Sequence, residues 1–505
     1  MGTHKKAKHH QCLIVWQPKL QSANTPKLDS PAKKCLTAPD VQPRRFLHCL
    51  PMNPRFSRNR DLLSRSLRSV WHPCTQMKHH EQMPLIPISR GDGVWLYDFD
   101  GNRYLDAVSS WWVNLFGHAN PRINAAVADQ LGRLEHVILA GFTHEPVVQL
   151  SERLSALTGL SHCFYGSDGA SAVEIALKMS FHYWKNSGRP EKTGFVSLKN
   201  GYHGETLGAL SVTDVPLFRD TYAALLRQST QLPSPDWRNA HPGETAEDVA
   251  LRAAGELEKY LAAQHGQTAA LIVEPLVQAA GTMAMYHASF LREARTLCNR
   301  YGVHLIADEI AVGFGRTGNF LACEQAGIRP DFVCLSKGIT GGYLPLSVTM
   351  TSDDIYRAFY DDEMARGFLH SHSYSGNALA CRAALAVLDI FEQDDVIAAN
   401  RAKSAQISAR CQKIARHASV RQFRNTGMIW AFEVATDDPL FPRKFYGAAL
   451  DRGLLLRPLG NTVYFMPPYI IEEDHMDMLV AGTCAILDSM ELSDSDHAVP
   501  GPGRA

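Results

Sequence analysis

None of the eleven cysteines in this 505-residue chain belongs to a C-x-x-C pair, and the nearest two are Cys323 and Cys334. That scatter offers neither a thiolate zinc site nor a disulfide framework, and it points to a reducing, cytoplasmic setting. Net charge is lacking too. The 51 basic and 51 acidic residues cancel, and Lys and Arg are spread along the chain, so there is no basic footprint of the kind nucleic acid requires. No apolar run approaches the ~18 residues a membrane-spanning helix needs, so none is expected to cross a bilayer. A G-x-G-x-x-G between strand and helix, with an acid ~20 residues on, is also missing, which disfavours a dinucleotide-dependent oxidoreductase. The adjacent pairs His9-His10 and His79-His80 cannot share a helix face as i, i+4 ligands do. No metal is assigned to them, and they are expected to be exposed to solvent.

What remains has the composition of an ordinary globular protein, with 45% apolar and 20% charged residues, and length enough for two or three domains. Residues 1–60 differ: Lys, Arg and Pro are frequent, Asp29 and Asp40 are the only acids, and no helical or strand period persists, so this stretch reads as a disordered extension. It lacks the sustained amphipathic pattern of a transit peptide, and Lys6 stands where a myristoylation signal wants a hydroxyl. Residues 491–505 read as a frayed tail.

Between these ends, apolar runs alternate with helix-like stretches at βα spacing, which predicts an α/β fold with a mostly parallel central sheet. The candidate central strands are 195–198, 270–273, 305–307 and 332–335, near-continuous apolar runs as strands buried on both faces should be. A large domain is expected over 116–387 and a smaller C-terminal α+β domain over 388–490, with 61–115 packing against the latter.

Two polar residues close such runs. Asp308 ends Val303–Ala307, and Lys337 follows Phe332–Leu335 by one serine. An amine that condenses with an aldehyde, and a carboxylate that holds a pyridine nitrogen protonated, are the two groups pyridoxal phosphate asks of a protein. Upstream, Gly166-Ser167-Asp168-Gly169-Ala170-Ser171 precedes a helix with Val173, Ala176, Leu177, Ser180 and Trp184 on its apolar face, and a helix N-terminus suits a phosphate. Tyr202, in Gly201-Tyr202-His203-Gly204, could stack on a flat heterocycle at the sheet edge. Ile310 falls on the side of Asp308 if the strand continues. Each has an ordinary counterpart: a Gly-Ser loop, a core tyrosine, a capping acid, a surface lysine. The ordered combination is what carries weight.

Taken in sequence, Gly169-Ala170, Tyr202-His203-Gly204, Asp308-Glu309-Ile310, Ser336-Lys337-Gly338 and Ser373-Tyr374-Ser375-Gly376-Asn377 resemble the fold-type I, class III pyridoxal-phosphate aminotransferases, over about residues 71 to 470. Within that class the chain is most similar to members that move an amino group from S-adenosylmethionine to 8-amino-7-oxononanoate in biotin synthesis. That likeness rests on Trp71-His72-Pro73-Cys74-Thr75-Gln76-Met77, Ser109-Ser110-Trp111-Trp112, Arg457-Pro458-Leu459-Gly460 with Tyr464-Phe465-Met466-Pro467-Pro468-Tyr469, and Ala311 where many relatives carry glutamine.

The resemblance implies that Lys337 binds the coenzyme covalently and shuttles the proton, that Asp308 pairs with the pyridine nitrogen, and that Tyr202 and Ile310 sandwich the ring. Gly169 and Ala170 would hold the phosphate, joined by Ser373 from a neighbouring subunit, so a homodimer is implied. Arg457 would take a substrate carboxylate in its planar fork, and Trp111, Trp112 and Tyr464 would line the pocket. Two positions depart from the family pattern: Cys74 replaces a common aromatic residue, which leaves room for a relative using lysine, an ω-amino acid or a polyamine as donor, and Ala170 replaces a frequent serine.

Overall fold

The computed structural model describes residues 57–83 and 85–490, which belong to one compact unit. Most of the expected extension and the whole of the expected tail lie outside the described residues. The first helix, Arg58–Ser69, starts inside the 1–60 segment, with Ser57 as its cap accepting the Arg60 N–H.

Seven strands build the main sheet: β1 (His162–Gly166), β2 (Gly194–Leu198), β3 (Thr230–Leu232), β4 (Thr268–Val273), β5 (His304–Asp308), β6 (Phe332–Leu335) and β7 (Ser347–Thr351). Their order is β1-β7-β6-β5-β4-β2-β3. All pairs from β6 across to β3 are parallel, and β7 runs antiparallel to both β6 and β1. Strands β4, β5 and β6 are buried along their whole length, which explains their unbroken apolar character. Because β1 is parallel to β6 through the intervening β7, the loops after β1, β2, β4, β5 and β6 all leave the same edge of the sheet. In open α/β sheets that carboxyl edge is where ligands bind.

Helix Gly169–Asn186 follows β1 and buries Val173, Ala176, Leu177 and Ser180, the expected face; Trp184 is half-buried and its indole N–H donates to the Ala269 carbonyl at 2.9 Å. Helix Ala378–Gln393 runs without a break across position 387. Beyond it, Val420–Thr426, Ile429–Val434 and Thr462–Phe465 form a separate antiparallel sheet. The N-terminal strands Ile88–Asp92, Trp95–Asp98 and Arg103–Asp106 join Leu454–Leu455 in a four-stranded sheet, which ties the start of the described chain to its last third.

Candidate active site

The five loops at the carboxyl edge enclose a cavity of about 340 Å³ lined by Gly169, Ala170, Tyr202, Asp308, Ile310 and Lys337, with Trp112, His203 and Glu274 completing its wall. Each residue arrives there for a local reason. Lys337 opens a short turn after β6 with φ +45°, a left-handed conformation that L side chains rarely adopt, and Ser336 anchors the step by donating its hydroxyl to the Leu346 carbonyl. Removal from water pushes the Lys337 ammonium down, against the pull of Asp308 and then Glu274 toward the charged form.

Asp308 ends β5, buried at 4% exposure. Its Oδ2 lies 2.8 Å from His203 Nδ1, and its Oδ1 accepts the Ile310 N–H at 3.1 Å. That second bond corrects the expectation for Ile310. The strand stops at Asp308, and a turn closed by the aspartate's own side chain, not continued β pleating, swings Ile310 into the cavity. There Ile310 packs so tightly that a Cβ at Gly169 would lie 3.1 Å from its side chain, which explains the glycine.

At the end of β1, Asp168 caps helix Gly169–Asn186 by accepting the Ser171 N–H at 2.9 Å and the Ser171 hydroxyl at 3.0 Å. The first N–H groups of a helix have no partner within it, so those of Gly169 and Ala170 are left for a ligand. Gly204 (φ +123°) backs this turn: a Cβ there would sit 2.6 Å from the Ala170 Cβ. Tyr202 shares the lining with Ile310. Its hydroxyl donates to Glu205 at 2.9 Å, its ring lies 5.4 Å from that of Phe218, and burial followed by the Glu205 charge pushes its phenol far up.

The tryptophan pair is held by unusual backbone. Ser109, Ser110, Trp111 and Trp112 all have positive φ (51°, 46°, 71° and 73°), a turn of left-handed helix without a glycine. Such a turn costs about 1–2 kcal/mol per residue. Buried Asp106 offsets part of this by accepting the Ser110 N–H and hydroxyl at 2.9 and 2.7 Å, and the Ser109 hydroxyl donates to the Met466 carbonyl at 2.7 Å. The turn sends the two rings apart. Trp112 is buried, its indole N–H donates to the Tyr464 hydroxyl at 3.2 Å, and Lys337 Nζ sits 5.4 Å from its ring centroid. Tyr464 is thereby brought behind Trp112, its phenol pushed up to about 12 by burial. Trp111 stays exposed, and the Arg457 guanidinium lies 4.8 Å from its ring.

Arg457 belongs to a second cavity of about 300 Å³, shared with Cys74, Tyr446 and His79. Burial pushes the Cys74 thiol up, with Arg457 pulling the other way. His79 and His80 are half-buried here and not solvent-exposed as expected, because His79 approaches Arg443 and His80 meets the His72 ring edge-on. Ser373 is not part of either cavity within one chain; it is exposed, and its carbonyl lies 2.8 Å from His136 Nε2.

Sequence reasoning missed two groups. His203 stood in a quoted motif without a role, and Glu274 was passed over, although it closes the apolar run of β4 just as Asp308 closes that of β5. The donor set suits a phosphorylated pyridine aldehyde: helix N–H groups for phosphate, an aromatic ring and a branched alkyl group in the same lining, a buried carboxylate for a ring nitrogen, and an amine with depressed basicity for an aldehyde.

The comparisons with known proteins agree with this chemistry. The family model for class-III aminotransferases matches residues 76–487. The adenosylmethionine-8-amino-7-oxononanoate aminotransferase of Helicobacter pylori is 48% identical over 439 residues, 85% of this chain and 98% of that protein. Among solved structures, the enzyme of the same name from Methanocaldococcus jannaschii superimposes with a TM-score of 0.80 at 33% identity, covering 86% of this chain and all of that one. An amine transaminase of an uncultivated Pseudomonas species, solved with pyridoxal phosphate bound, gives 0.79 at 34% identity over 83% of this chain and 98% of its own.

Proposed function

The chain belongs to the class-III aminotransferases, and from that premise we propose that it transfers an amino group from S-adenosylmethionine to 8-amino-7-oxononanoate, forming 7,8-diaminononanoate for biotin synthesis. One observation carries the reading: Lys337, Asp308, Tyr202, Ile310 and the Gly169-Ala170 turn, drawn from four separate loops, line a single cavity. Relatives named for this reaction span nearly their whole length on this chain.

When bound, pyridoxal phosphate supplies an aldehyde that takes up an amino group and a ring that receives the electron pair released at the substrate carbon. Gly169 and Ala170 would hold its phosphate with backbone N–H groups, and the exposed Ser373 would reach the same phosphate from a second copy of the chain in a homodimer. Asp308 holds a proton at the pyridine nitrogen, and His203 orients that carboxylate. Tyr202 and Ile310, which both line the cavity, would clamp the ring and keep water from its faces. Lys337 Nζ would hold the aldehyde and, once free, would carry a proton between the substrate α-carbon and the C4′ atom, for which its lowered basicity is suited. Arg457 receives a substrate carboxylate. The cycle is ping-pong, donor and acceptor taking their turns at the one amine, Lys337.

The scattered cysteines, eight of them free among the described residues, support a cytoplasmic setting. No helix among the described residues is long and apolar enough to cross a membrane. Cys74 stands where an aromatic residue is common, so the alternative to be tested is a class-III aminotransferase whose donor is lysine, an ω-amino acid or a polyamine.

Half-reaction spectroscopy tests both. Purified protein loaded with pyridoxal phosphate should lose its visible band on addition of S-adenosylmethionine, and Lys337→Ala should lower turnover by at least about 10³-fold. Conversion by lysine or putrescine but not by S-adenosylmethionine would assign the alternative donor, and normal turnover in Lys337→Ala would refute the role of the lysine.

A further inference from the structure

Glu274 is a second buried carboxyl in the cavity that the reaction as written does not use. It stands at the end of β4, at 4% exposure, beside Asp308 on β5. Its two oxygens are divided between two backbone donors: Oε1 accepts the Tyr202 N–H at 2.9 Å, and Oε2 accepts the Ala279 N–H at 3.0 Å. The loop that carries Tyr202 is therefore fastened to the end of β4 by this side chain, beside the tie to β5 that His203 makes with Asp308. Its own backbone is fixed in turn, since the Tyr286 hydroxyl donates to the Glu274 carbonyl at 2.6 Å.

The titratable groups that face it come from every element around the cavity. Tyr202 and His203 lie on the loop after β2, Asp308 on β5, Lys337 after β6, and Tyr286 on the adjoining hairpin. Burial pushes Glu274 up to about 7; His203 draws it back and Asp308 adds to the rise. Two buried acids, Glu274 and Asp308, thus line one cavity with Lys337, where charge interactions are screened less than in water.

We propose that Glu274 is a positioning residue for the transamination: its carboxyl latches the Tyr202 loop over the bound ring, and its negative charge favours the protonated form of the nitrogen that Lys337 contributes. The inference rests on the coenzyme reading of this cavity. It is a role for an acid that does not touch the reacting carbon, exerted through Tyr202 on one side and Lys337 on the other.

The test is a pH titration of the visible absorbance of the enzyme loaded with pyridoxal phosphate, wild type against Glu274→Gln and Glu274→Asp, with far-UV circular dichroism to show that each variant is folded. With Glu274 raised to about 7 by burial, its charge is present above that pH, and there its removal makes protonation at the Lys337 nitrogen harder, so the midpoint in Glu274→Gln should fall by about one pH unit. Glu274→Asp keeps the charge but withdraws it, and should fall by roughly half as much. Both variants should release the coenzyme faster on gel filtration, by about tenfold, because the latch on Tyr202 is lost or strained. A purely structural acid would lower thermal stability and leave the midpoint where it is. A wild-type midpoint in either folded variant overturns the inference. Wild-type protein that shows no visible band with pyridoxal phosphate would instead refute the coenzyme reading beneath it.

Discussion

Arg457 has no carboxylate partner among the described residues, and its guanidinium lies against the exposed Trp111 ring. An arginine stacked on one face and unpaired at its fork is prepared for a planar anion, and lysine reproduces neither the stacking nor the paired donors. Arg457→Lys is expected to raise KM for the carboxylate-bearing substrates by about 10- to 100-fold, the equivalent of one charge-assisted hydrogen bond, with kcat changed far less. Steady-state kinetics with each substrate varied in turn will show this split. At the same scale, Lys337 and Asp308 were legible because each is a polar residue closing an apolar run. Glu274 carried the same signal and was overlooked, while the pairing of His203 with Asp308 joins positions 105 residues apart and has no local trace in sequence.

Among the elements, the turn after β1 shows how one loop depends on another. Gly204 takes φ +123° and lies so close that a Cβ would meet the Ala170 Cβ at 2.6 Å. Gly204→Ala is expected to destabilise the protein by about 2–4 kcal/mol, from backbone strain and overpacking together, and to weaken coenzyme binding by moving the Gly169-Ala170 turn. Chemical denaturation and coenzyme release measure the two effects separately. The left-handed turn Ser109–Trp112 was not legible at all. Nothing in Ser-Ser-Trp-Trp announces positive φ, because the conformation is imposed by Asp106 and by the Met466 carbonyl, 357 residues from Ser109.

For the molecule as a whole, the buried sheet sets a pH dependence. His304, the first residue of β5, is packed against Trp184 and Phe332 with Ser180 Oγ 2.9 Å from Nδ1, and burial lowers it from 6.5 to about 4. Between those values the unfolded chain binds a proton that the folded chain refuses, so this residue's contribution to stability falls as pH falls from 6.5 toward 4. Glu309 and Glu274, raised to about 7 by burial, act in the opposite sense, since the folded state binds their protons more tightly. Comparison with His304→Leu isolates the histidine: the difference in unfolding free energy between wild type and variant should move by about 2 kcal/mol against the wild type between pH 7 and pH 5. Urea denaturation at the two pH values checks it, and an unchanged difference would mean that His304 titrates normally in the fold.

By itself the sequence determined the class of fold and the chemical type of the site, because strands buried on both faces must be apolar throughout and the residues that end them carry the polar chemistry. It placed β2, β4, β5 and β6, and it named Lys337, Asp308, Tyr202, Ile310, Gly169 and Ala170, all of which line one cavity. Only the tertiary structure decided how those residues are held: the turn that swings Ile310 inward, the left-handed backbone that parts Trp111 from Trp112, and the acids and histidine that surround Lys337. These features arise from hydrogen bonds between distant segments and from burial, and neither leaves a period or a motif in the chain.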